Sequence, residues 1–571
     1  MVNTVGERSP VRVGQATGVA LSGISGIPVL VECDISRGLP GMSIVGLGDT
    51  AVVQARDRVR SAMINSGLEW PKSRVVMSLS PASVPKSGSG FDLPMVLAIL
   101  VAQGRVRTSE VAELVVIGEL GLDGAVRPVD GVLPMVLAAR QQGCRRAAVP
   151  VGMVTEAQRV AGVEVVGLSH LRELLPWIRE GWVPQALSED RDDGQDGTAA
   201  RPTQLAAFAG PSAAVGSPAA NTSTTASTTT STAPLGGNRP VAGDLADVLG
   251  QQEARRGLEV AAAGGHHLWL TGPPGSGKSM LAERLPGIMP ALDDDEQLET
   301  AAVHSVAGNR GQLDAVWQGV RPFIAPHHSV SPAALTGGGS DRIRPGAVSL
   351  AHNGVLFIDE APEVATGTLE LLRTPMETGR IEVMRHRGTV VFPARFQLVL
   401  ASNPCPCGAG DVRDCRCRGG VRDRYLQRLS GPLLDRVDVC VRTTGNQLAD
   451  LSGGAGADGG ESSATVAERV HAARDRSRYR WRSSDQVVGA GINATVPGTV
   501  LRRDFPAQDA AMAVLQEKLR AGAVSQRGVD RTLRVAWTLA DLGQVAQPGV
   551  AEVMDSLEFF TGAVETGRDV A

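Results

Sequence analysis

The sequence predicts an α/β protein with a glycine-rich loop in its central part, an α+β region before it and a helical region after it. Three kinds of segment support this class: apolar runs of strand length, a glycine-rich segment between such a run and a helix, and helical patterns near the C-terminus. The central apolar runs are Leu268–Thr271, Gly354–Asp359 and Phe396–Ser402. Because strands covered on both faces are apolar throughout, these runs are typical of a parallel sheet.

Length and composition bound the organisation of the chain. Of its 571 residues, 43% are hydrophobic and 20% charged, which is enough apolar material for roughly two to four domains. The net charge is −4, so a nucleic-acid surface would have to be a local basic patch. Seven cysteines exclude a disulfide scaffold, and no uninterrupted apolar run of membrane-spanning length occurs. We therefore expect a soluble, cytoplasmic protein with neither a secretory signal nor a membrane span.

Changes in composition divide the chain into four parts. Residues 1–185 mix strands with a buried helix, and residues 186–241, rich in Ser, Thr, Pro and Asp, are expected to form a flexible linker. Residues 242–445 alternate strands and helices, and residues 464–571 are mostly helical. The segments expected in the first part are the strands Gly26–Cys33, Arg74–Leu79 and Glu113–Gly118 and the helix Phe91–Gln103. The helices expected in the last part are Val466–Arg478, Gln508–Ala521, Asp530–Leu542 and Val550–Thr561.

The central part contains a phosphate-loop motif between an expected strand and an expected helix. It comprises Gly272, Pro273, Pro274, Gly275, Ser276, Gly277, Lys278 and Ser279, with Met280 continuing into the helix. In such a motif backbone N–H groups surround phosphate oxygens, the lysine reaches the β- and γ-phosphates and the hydroxyl coordinates Mg²⁺. The chain has only four lysines, which argues against a chance glycine turn. The sequence therefore predicts a site for ATP and Mg²⁺.

Two further apolar runs end in polar side chains suited to nucleotide hydrolysis. Asp359 and Glu360 follow one run, where Asp359 would lie near Mg²⁺ and Glu360 would polarise the attacking water. Asn403 ends the next run, where its amide would orient this water or contact the γ-phosphate. The alternative role for Asn403 is that of a turn residue before Pro404.

A basic hairpin is predicted at residues 379–393, just before the run that ends in Asn403. Two β-rich arms flank a tip of Arg385, His386 and Arg387, with Gly388 in the turn. Such a tip would bind nucleic-acid phosphates in a salt-dependent manner. The alternative is a solvated turn with no ligand.

Four of the seven cysteines form two closely spaced C-x-C pairs, Cys405 with Cys407 and Cys415 with Cys417. In a reducing compartment four such thiols can bind a structural Zn²⁺ ion. Reduced free thiols and a redox disulfide are the alternatives, because C-x-C is tighter than the commoner C-x-x-C spacing. The adjacent His327 and His328 could form a metal pair, but we expect a structural role in a loop.

These motifs together resemble an AAA+ ATPase, and further segments resemble its magnesium-chelatase-like branch and the YifB/ComM family. The segments that carry the likeness are Asp247–Gln251, Arg321–Ser329, Ser349–Gly354 and Ser430–Asp438. The resemblance implies an AAA+ core with a C-terminal helical lid and a homo-hexameric ring. It also implies that Arg436 is the arginine finger, which contacts the γ-phosphate in a neighbouring subunit, and that Arg527 is the lid arginine called sensor 2. The alternative for either arginine is a surface ion pair.

The N-terminal part resembles the proteolytic domain of the Lon family, an α+β fold of the ribosomal S5 domain 2-like class. Its likeness lies in Pro85–Asp92 and Gly118–Pro134. A Lon-type peptidase needs a serine nucleophile and a lysine base, and these two positions correspond to Gly90 and Leu133 here. We therefore expect a domain without peptidase activity. A shifted dyad of Lys86 with Ser87 or Ser89 is the alternative.

The residues themselves predict an ATPase with a basic loop, and the resemblance implies a more specific function. It implies a ring that moves single-stranded or branched DNA, as a ComM-like branch-migration helicase in recombination or transformation. A magnesium-chelatase-type motor that remodels a protein is the alternative. An ATP-dependent Lon-like protease is disfavoured by Gly90 and Leu133.

Overall fold

The computed structural model describes ten segments of the chain: residues 13–45, 50–81, 90–181, 243–339, 343–385, 388–409, 415–418, 420–444, 460–482 and 491–561. The expected linker at 186–241 lies outside these segments. So do Lys86, Ser87, Ser89, His386 and Arg387. The boundaries at 185, 241 and 445 stay predictions.

Seven strands of the N-terminal region form one mixed sheet. The strands of this region are β1 (Val13–Ser22), β2 (Ser25–Ser36), β3 (Gly41–Val45), β4 (Arg74–Ser80), β5 (Leu114–Val116), β6 (Glu119–Leu120), β7 (Val126–Arg127), β8 (Arg146–Pro150) and β9 (Glu164–Leu168). The sheet has the order β3-β4-β2-β1-β5-β8-β9, and β6 pairs with β7 separately. β1 and β2 form an antiparallel hairpin, whereas β1, β5, β8 and β9 are parallel neighbours. The three strands expected from sequence here are confirmed.

Helices cover both faces of this sheet. They are α1 (Thr50–Asn65), α2 (Asp92–Ala102), α3 (Thr108–Val111), α4 (Val132–Gln141), α5 (Val154–Ala157) and α6 (Leu174–Glu180). α2 is buried along its whole length, as its unbroken apolar sequence predicts. Side chains alternate along β1, so that Ala16 and Ala20 lie in the apolar cluster with α1 and α2, and Val19 lies in the cluster with α4 and α5.

A five-stranded sheet, parallel throughout, forms the core of the central part. Its strands and the shorter strands of this part are β10 (Leu268–Thr271), β11 (Phe323–Ile324), β12 (Gly337–Gly338), β13 (Arg344–Pro345), β14 (Val355–Ile358), β15 (Arg380–Arg385), β16 (Gly388–Pro393), β17 (Gln397–Ser402) and β18 (Val439–Arg442). The sheet has the order β11-β14-β17-β10-β18. Every residue of β10, β14 and β17 is buried, which confirms the three parallel core strands expected from sequence.

Helices surround the parallel sheet and continue to the C-terminus. They are α7 (Gln252–Gly264), α8 (Lys278–Ile288), α9 (Asp294–Ala307), α10 (Leu313–Trp317), α11 (Pro332–Thr336), α12 (Ala347–Leu350), α13 (Thr366–Glu370), α14 (Arg373–Thr378), α15 (Val421–Leu426), α16 (Gly431–Leu434), α17 (Ser463–Trp481), α18 (Gly498–Arg503), α19 (Asp509–Arg520), α20 (Gln526–Leu542) and α21 (Val550–Thr561). The four C-terminal helices expected from sequence correspond to α17, α19, α20 and α21, and α17 and α20 pack against α7. Within the described segments, no helix has the length and apolar character needed to cross a membrane.

The N-terminal region and the central region share an apolar interface, in which α4 packs against α9. Leu133 of α4 is fully buried in one cluster with Ala301 and Ala302 of α9. The Glu156 carboxylate crosses the interface, accepting hydrogen bonds from the Leu133 N–H, at 3.2 Å, and from the Ser305 hydroxyl. Burial raises the pKa of Glu156, against the effect of these hydrogen bonds. Leu133, which we expect to correspond to the Lon lysine, therefore contributes to packing between the two regions.

Replacing Leu133 by lysine should destabilise this interface. The buried ammonium would have to lose its proton or remain unpaired, and an unpaired buried charge costs about 3 kcal/mol or more. We expect a lower midpoint of thermal unfolding for Leu133→Lys, followed by circular dichroism. Leu133→Met keeps the volume and is the matched control, with an expected cost below about 1.5 kcal/mol. A Leu133→Lys variant as stable as the control would contradict the packing described here.

Candidate functional site

The candidate site lies at one edge of the parallel sheet, where three strands end side by side. In the strand register, Thr271 at the end of β10 pairs with Ser402 at the end of β17. Ile358 at the end of β14 pairs with Leu400 of the same β17. The residues that follow these strands therefore share one edge, which is where ligands bind in open α/β sheets. This register brings the phosphate loop, Asp359 and Asn403 together.

The phosphate loop has the backbone conformation that its glycines permit. Gly275 and Gly277 have φ of +74° and +83°, in the left-handed region that favours glycine. α8 begins at Lys278, so its free N–H groups face the loop. A Cβ added to Gly272 would lie 2.0 Å from the Thr443 hydroxyl oxygen, so a larger residue cannot replace this glycine without movement of the strand beside it. Loop and helix N-terminus together form a cradle for an anion.

Lys278 links the phosphate loop to Asn403. Its ammonium donates hydrogen bonds to the carbonyl oxygens of Gly272, at 2.8 Å, and Pro273, at 2.9 Å. A third bond, of 3.1 Å, runs to Oδ1 of Asn403. Burial lowers the pKa of Lys278, and the nearby carboxylates of Asp359 and Glu360 oppose this shift. The ammonium is thus held beside the phosphate loop, where triphosphate oxygens can replace the three oxygen atoms that accept its hydrogen bonds.

The residues expected to hold Mg²⁺ are in direct contact. The Ser279 hydroxyl donates to Oδ2 of Asp359 at 2.9 Å, and the N–H of Glu360 donates to Oδ1 of the same carboxylate at 2.9 Å. A hydroxyl beside a carboxylate is the oxygen donor set that Mg²⁺ prefers when phosphate and water complete its shell. The side chains present therefore fit the ion expected from sequence.

Two contacts near the cradle involve side chains whose role the motifs do not predict. The Gln251 amide donates to the carbonyl of Thr444 at 2.5 Å and accepts from its N–H at 3.1 Å. The Ser276 hydroxyl lies 2.6 Å from that of Thr443. These contacts hold the residues that follow β18 against Gln251 and against the phosphate loop. Gln251 has a φ of +54°, a conformation that no sequence pattern indicates for glutamine.

The Glu360 carboxylate has a partner in the histidine pair. Nδ1 of His328 lies 3.4 Å from Oε2 of Glu360, and His327 stacks on His328 with a ring separation of 3.9 Å. Glu360 itself has a φ of +47°, in the left-handed region. Among the residues the structure describes, these histidines belong to no group of three or more converging metal ligands. The pair contacts the site carboxylate, a role that sequence reasoning missed.

Comparison with known proteins agrees with this geometry. The model of magnesium chelatase, subunit ChlI, matches residues 244–451, with ChlI models also matching 31–152 and, for the C-terminal part, 460–559. The chain is 38% identical to YifB of Escherichia coli over 525 residues, covering 92% of each chain. It is 36% identical to the competence protein ComM of Haemophilus influenzae over 539 residues, covering 94% of this chain and 95% of ComM.

The chain belongs to the YifB/ComM family of magnesium-chelatase-like AAA+ proteins. A Mycobacterium tuberculosis protein is 46% identical to it over 548 residues, covering 96% of this chain and 98% of that protein. The N-terminal region is also similar to the Lon protease of Mycolicibacterium smegmatis, at 29% identity over 144 residues. That match covers 24% of this chain and 18% of the Lon chain.

The two arginines expected from the YifB/ComM resemblance lie outside the hydrogen-bonded network around Lys278. Arg436 follows α16 and pairs with Glu377 of its own chain, while its Nε, buried, has no hydrogen-bond partner among the described residues. Arg531 of α20 donates to the carbonyl of Val437 at 2.9 Å and so holds the backbone beside Arg436. Arg527 is exposed in the first turn of α20. Within one chain, no hydrogen bond joins Arg436 or Arg527 to the described cradle residues.

The hairpin expected from sequence is confirmed. β15 and β16 pair from Arg380 with Pro393 to Arg385 with Gly388. Arg385 is exposed at the end of this ladder, and its two companions in the predicted tip lie outside the described residues. A Cβ on Gly23, in the turn between β1 and β2, would lie 2.4 Å from the carbonyl oxygen of Val391. The N-terminal region therefore contacts the hairpin directly.

The four cysteines predicted to form a metal site converge beyond β17. Their sulfur atoms all lie within 4.8 Å of one another, and all seven cysteines of the chain are free thiols. Sγ of Cys407 lies 2.9 Å from that of Cys405 and 3.7 Å from that of Cys415. The thiol of Cys405 lowers the pKa of Cys407 to about 6 through their hydrogen bond, and burial raises the pKa of Cys405 to about 12.

Loss of the Lys278 ammonium should abolish turnover. Lys278→Ala removes the charge that bridges the loop and Asn403, and we expect ATP hydrolysis to fall at least about 100-fold, as for other groups that stabilise transition-state charge. Phosphate release and binding of a fluorescent ATP analogue measure the effect. Lys518→Ala, which removes an exposed lysine of α19, is the matched control. Normal turnover in Lys278→Ala would overturn the phosphate-loop assignment.

Proposed function

We propose that this protein is an ATPase that assembles as a homo-hexameric ring and couples ATP hydrolysis to movement of single-stranded or branched DNA. The observation that carries the ATPase is the continuous network in which Lys278 contacts Asn403 and Ser279 contacts Asp359. Three segments far apart in sequence supply these groups at one sheet edge. Family membership supports the same activity.

The chemistry assigned to each residue follows from its position. The N–H groups of the phosphate loop and the Lys278 ammonium bind the β- and γ-phosphates. Ser279 and Asp359 would hold Mg²⁺, which would supply positive charge to the phosphate oxygens. Glu360 polarises the attacking water, which Asn403 helps to orient. The cofactor set is thus ATP with Mg²⁺, together with one structural Zn²⁺ on the four cysteines.

The position of Arg436 supports the proposed ring. Its guanidinium is held by Glu377 on its own chain, apart from the contacts among Lys278, Ser279 and Asp359. An arginine finger acting across a subunit interface supplies positive charge to the transferring phosphoryl group of the neighbour. α17–α21 form the helical lid, and Arg527, exposed in the first turn of α20, acts as sensor 2 on the nucleotide of the same chain.

Mixed rings test the trans-acting finger. We expect Arg436→Ala to lose turnover by about 1,000-fold. Glu360→Gln should bind ATP and fail to hydrolyse it. When the two inactive variants are mixed, part of the activity should return, because an intact cradle of one subunit then meets an intact Arg436 of the other. This arrangement would be excluded if rings shown by native mass spectrometry to be mixed recovered no ATPase activity. Full activity of Arg436→Ala as a monomer would also exclude it.

DNA as the substrate rests on the hairpin and on one relative. Arg385 is exposed at the end of the β15–β16 ladder, in a segment whose sequence continues with His386 and Arg387. The relative from Haemophilus influenzae is a competence protein. We infer from both that the hairpin contacts the DNA backbone during ComM-like branch migration in recombination or transformation. A basic tip binds phosphate without regard to base sequence.

DNA should stimulate hydrolysis if this assignment holds. In low salt, single-stranded or forked DNA is expected to raise phosphate release several-fold, and added salt should weaken the effect. The double variant Arg385→Ala, Arg387→Ala should lose the stimulation. Arg520→Ala, at an exposed position of α19, should keep it and is the matched control. Hydrolysis that ignores DNA under all these conditions would contradict the DNA motor.

The second candidate is a motor that remodels a protein. The three family models that match this chain describe a subunit of magnesium chelatase, and this description favours an ATPase acting on a protein partner. DNA-independent hydrolysis would favour this second function. A Lon-like protease is disfavoured, because Gly90 has no nucleophile and Leu133 no base. We assign the N-terminal domain a Lon-like fold without peptidase activity.

A further inference from the structure

The cysteine cluster has the composition and spacing of a metal site. Zn²⁺ bound tetrahedrally by four thiolates has bonds of about 2.3 Å, which separates the sulfur atoms by about 3.8 Å. The four sulfur atoms here all lie within 4.8 Å of one another. Cys415 and Cys417 approach Cys405 and Cys407 from a second stretch of chain, so the cluster closes a loop.

The cluster lies directly beside the candidate ATP site. Cys405, 2% exposed, follows Asn403 by two residues. Three residues further on, Gly408 has a φ of +76°, and a Cβ added to it would lie 3.0 Å from Cγ of Pro274 in the phosphate loop. The segment 403–409 therefore begins at the contact with Lys278 and passes against the phosphate loop as it leaves the cluster.

We propose that the four cysteines bind one Zn²⁺ ion and that this metal holds segment 403–409 against the phosphate loop, keeping Asn403 at Lys278. Binding forms four Zn–S bonds and releases to solvent the protons that the thiols still carry. The resulting site carries two negative charges, and Arg416 and Arg418, both exposed, flank it in sequence. The cysteines are thus positioning residues for Asn403, and this role rests on the proposed ATPase function.

The physical reason is that, apart from the cysteines, the segment is restrained mainly at its start, where Asn403 contacts Lys278 and its backbone contacts the Tyr425 hydroxyl. A turn that contains Pro404 and Gly408 and ends a strand has few backbone hydrogen bonds, of which the structure shows one from the Gly408 N–H to the Cys405 carbonyl, at 3.1 Å. Metal binding supplies the free energy that orders such a loop. Because a catalytic group displaced by about 1 Å can cost a factor of 100 in rate, loss of the metal should slow hydrolysis through Asn403.

Metal content of the full-length protein tests the site. Protein purified under reducing, chelator-free conditions should contain about one zinc per chain. Substitution with Co²⁺ should give the visible absorption of tetrahedral cobalt thiolate. Cys407→Ser with Cys417→Ser should lose the metal, whereas Cys144→Ala, which removes a thiol outside the cluster, should retain it. Absence of stoichiometric metal in the unchanged protein would overturn the proposal.

Hydrogen exchange and kinetics test the positioning role. Removal of zinc by a thiol-directed mercurial should speed amide exchange in 397–409 and in the phosphate loop, and restored zinc should reverse this. We expect the double-cysteine variant to lose about tenfold or more in turnover while its affinity for an ATP analogue changes less than about threefold. Adding Asn403→Ala to this variant should cost little more, because both changes act through one group.

The outcomes separate the two proposals. The positioning role would be overturned if the loss of turnover in the triple variant equalled the product of the losses caused by the double-cysteine change and by Asn403→Ala. Amide exchange in 397–409 that does not change after metal removal would overturn it as well. A protein that holds zinc, shows the exchange change and hydrolyses no ATP would contradict the proposed function and support the metal's role in positioning the segment. A protein that contains no zinc and hydrolyses ATP in a Lys278-dependent manner would support the proposed function and contradict the metal's role in positioning the segment.

Discussion

A buried ammonium organises the candidate site. Lys278 is 8% exposed, and its charge is tolerated there because three oxygen acceptors surround it. Two of these acceptors belong to the loop before it and the third to Asn403 on another strand. The same group therefore fixes the shape of the phosphate loop and would contact the phosphates bound there. A movement of either the phosphate loop or Asn403 would therefore change the hydrogen bonds of the Lys278 ammonium.

The N-terminal region is joined to this machinery by packing. Leu133 and Glu156 meet α9 from one side, and the turn at Gly23 meets the basic hairpin at Val391. A region that contacts both α9 and the hairpin can transmit small displacements between them, because packed interfaces shift between discrete arrangements. In the proposed motor this arrangement would give the region a mechanical role that requires no peptidase chemistry.

The positions of the charged groups around the site also bear on the proposed ring. Lys278, Asp359 and Glu360 lie together within one protomer, whereas Arg436 is held by Glu377 outside their network. Arg531 supports the backbone at Val437, so a change in the C-terminal helices reaches the segment that carries Arg436. In a ring, this connection would link the nucleotide state of one subunit to the arginine offered to the next.

The sequence by itself determined those features of this protein that depend only on a short stretch of chain. The apolar runs of β10, β14 and β17, the glycines at 275 and 277 and the long helix α2 follow from burial and backbone freedom, and each forms as predicted. The alternation and turn of the hairpin β15–β16 are local in the same way.

Contacts between distant segments were decided only by the tertiary structure. Gln251 with Thr444, His328 with Glu360 and Leu133 with α9 join residues whose spacing in sequence carries no periodic signal. Only the strand order β11-β14-β17-β10-β18 places Asn403 beside Lys278. The contact of Gly408 with Pro274 likewise depends on the tertiary structure. A sequence specifies which side chains can bind a phosphate or a metal, but their mutual distances depend on how strands and helices pack.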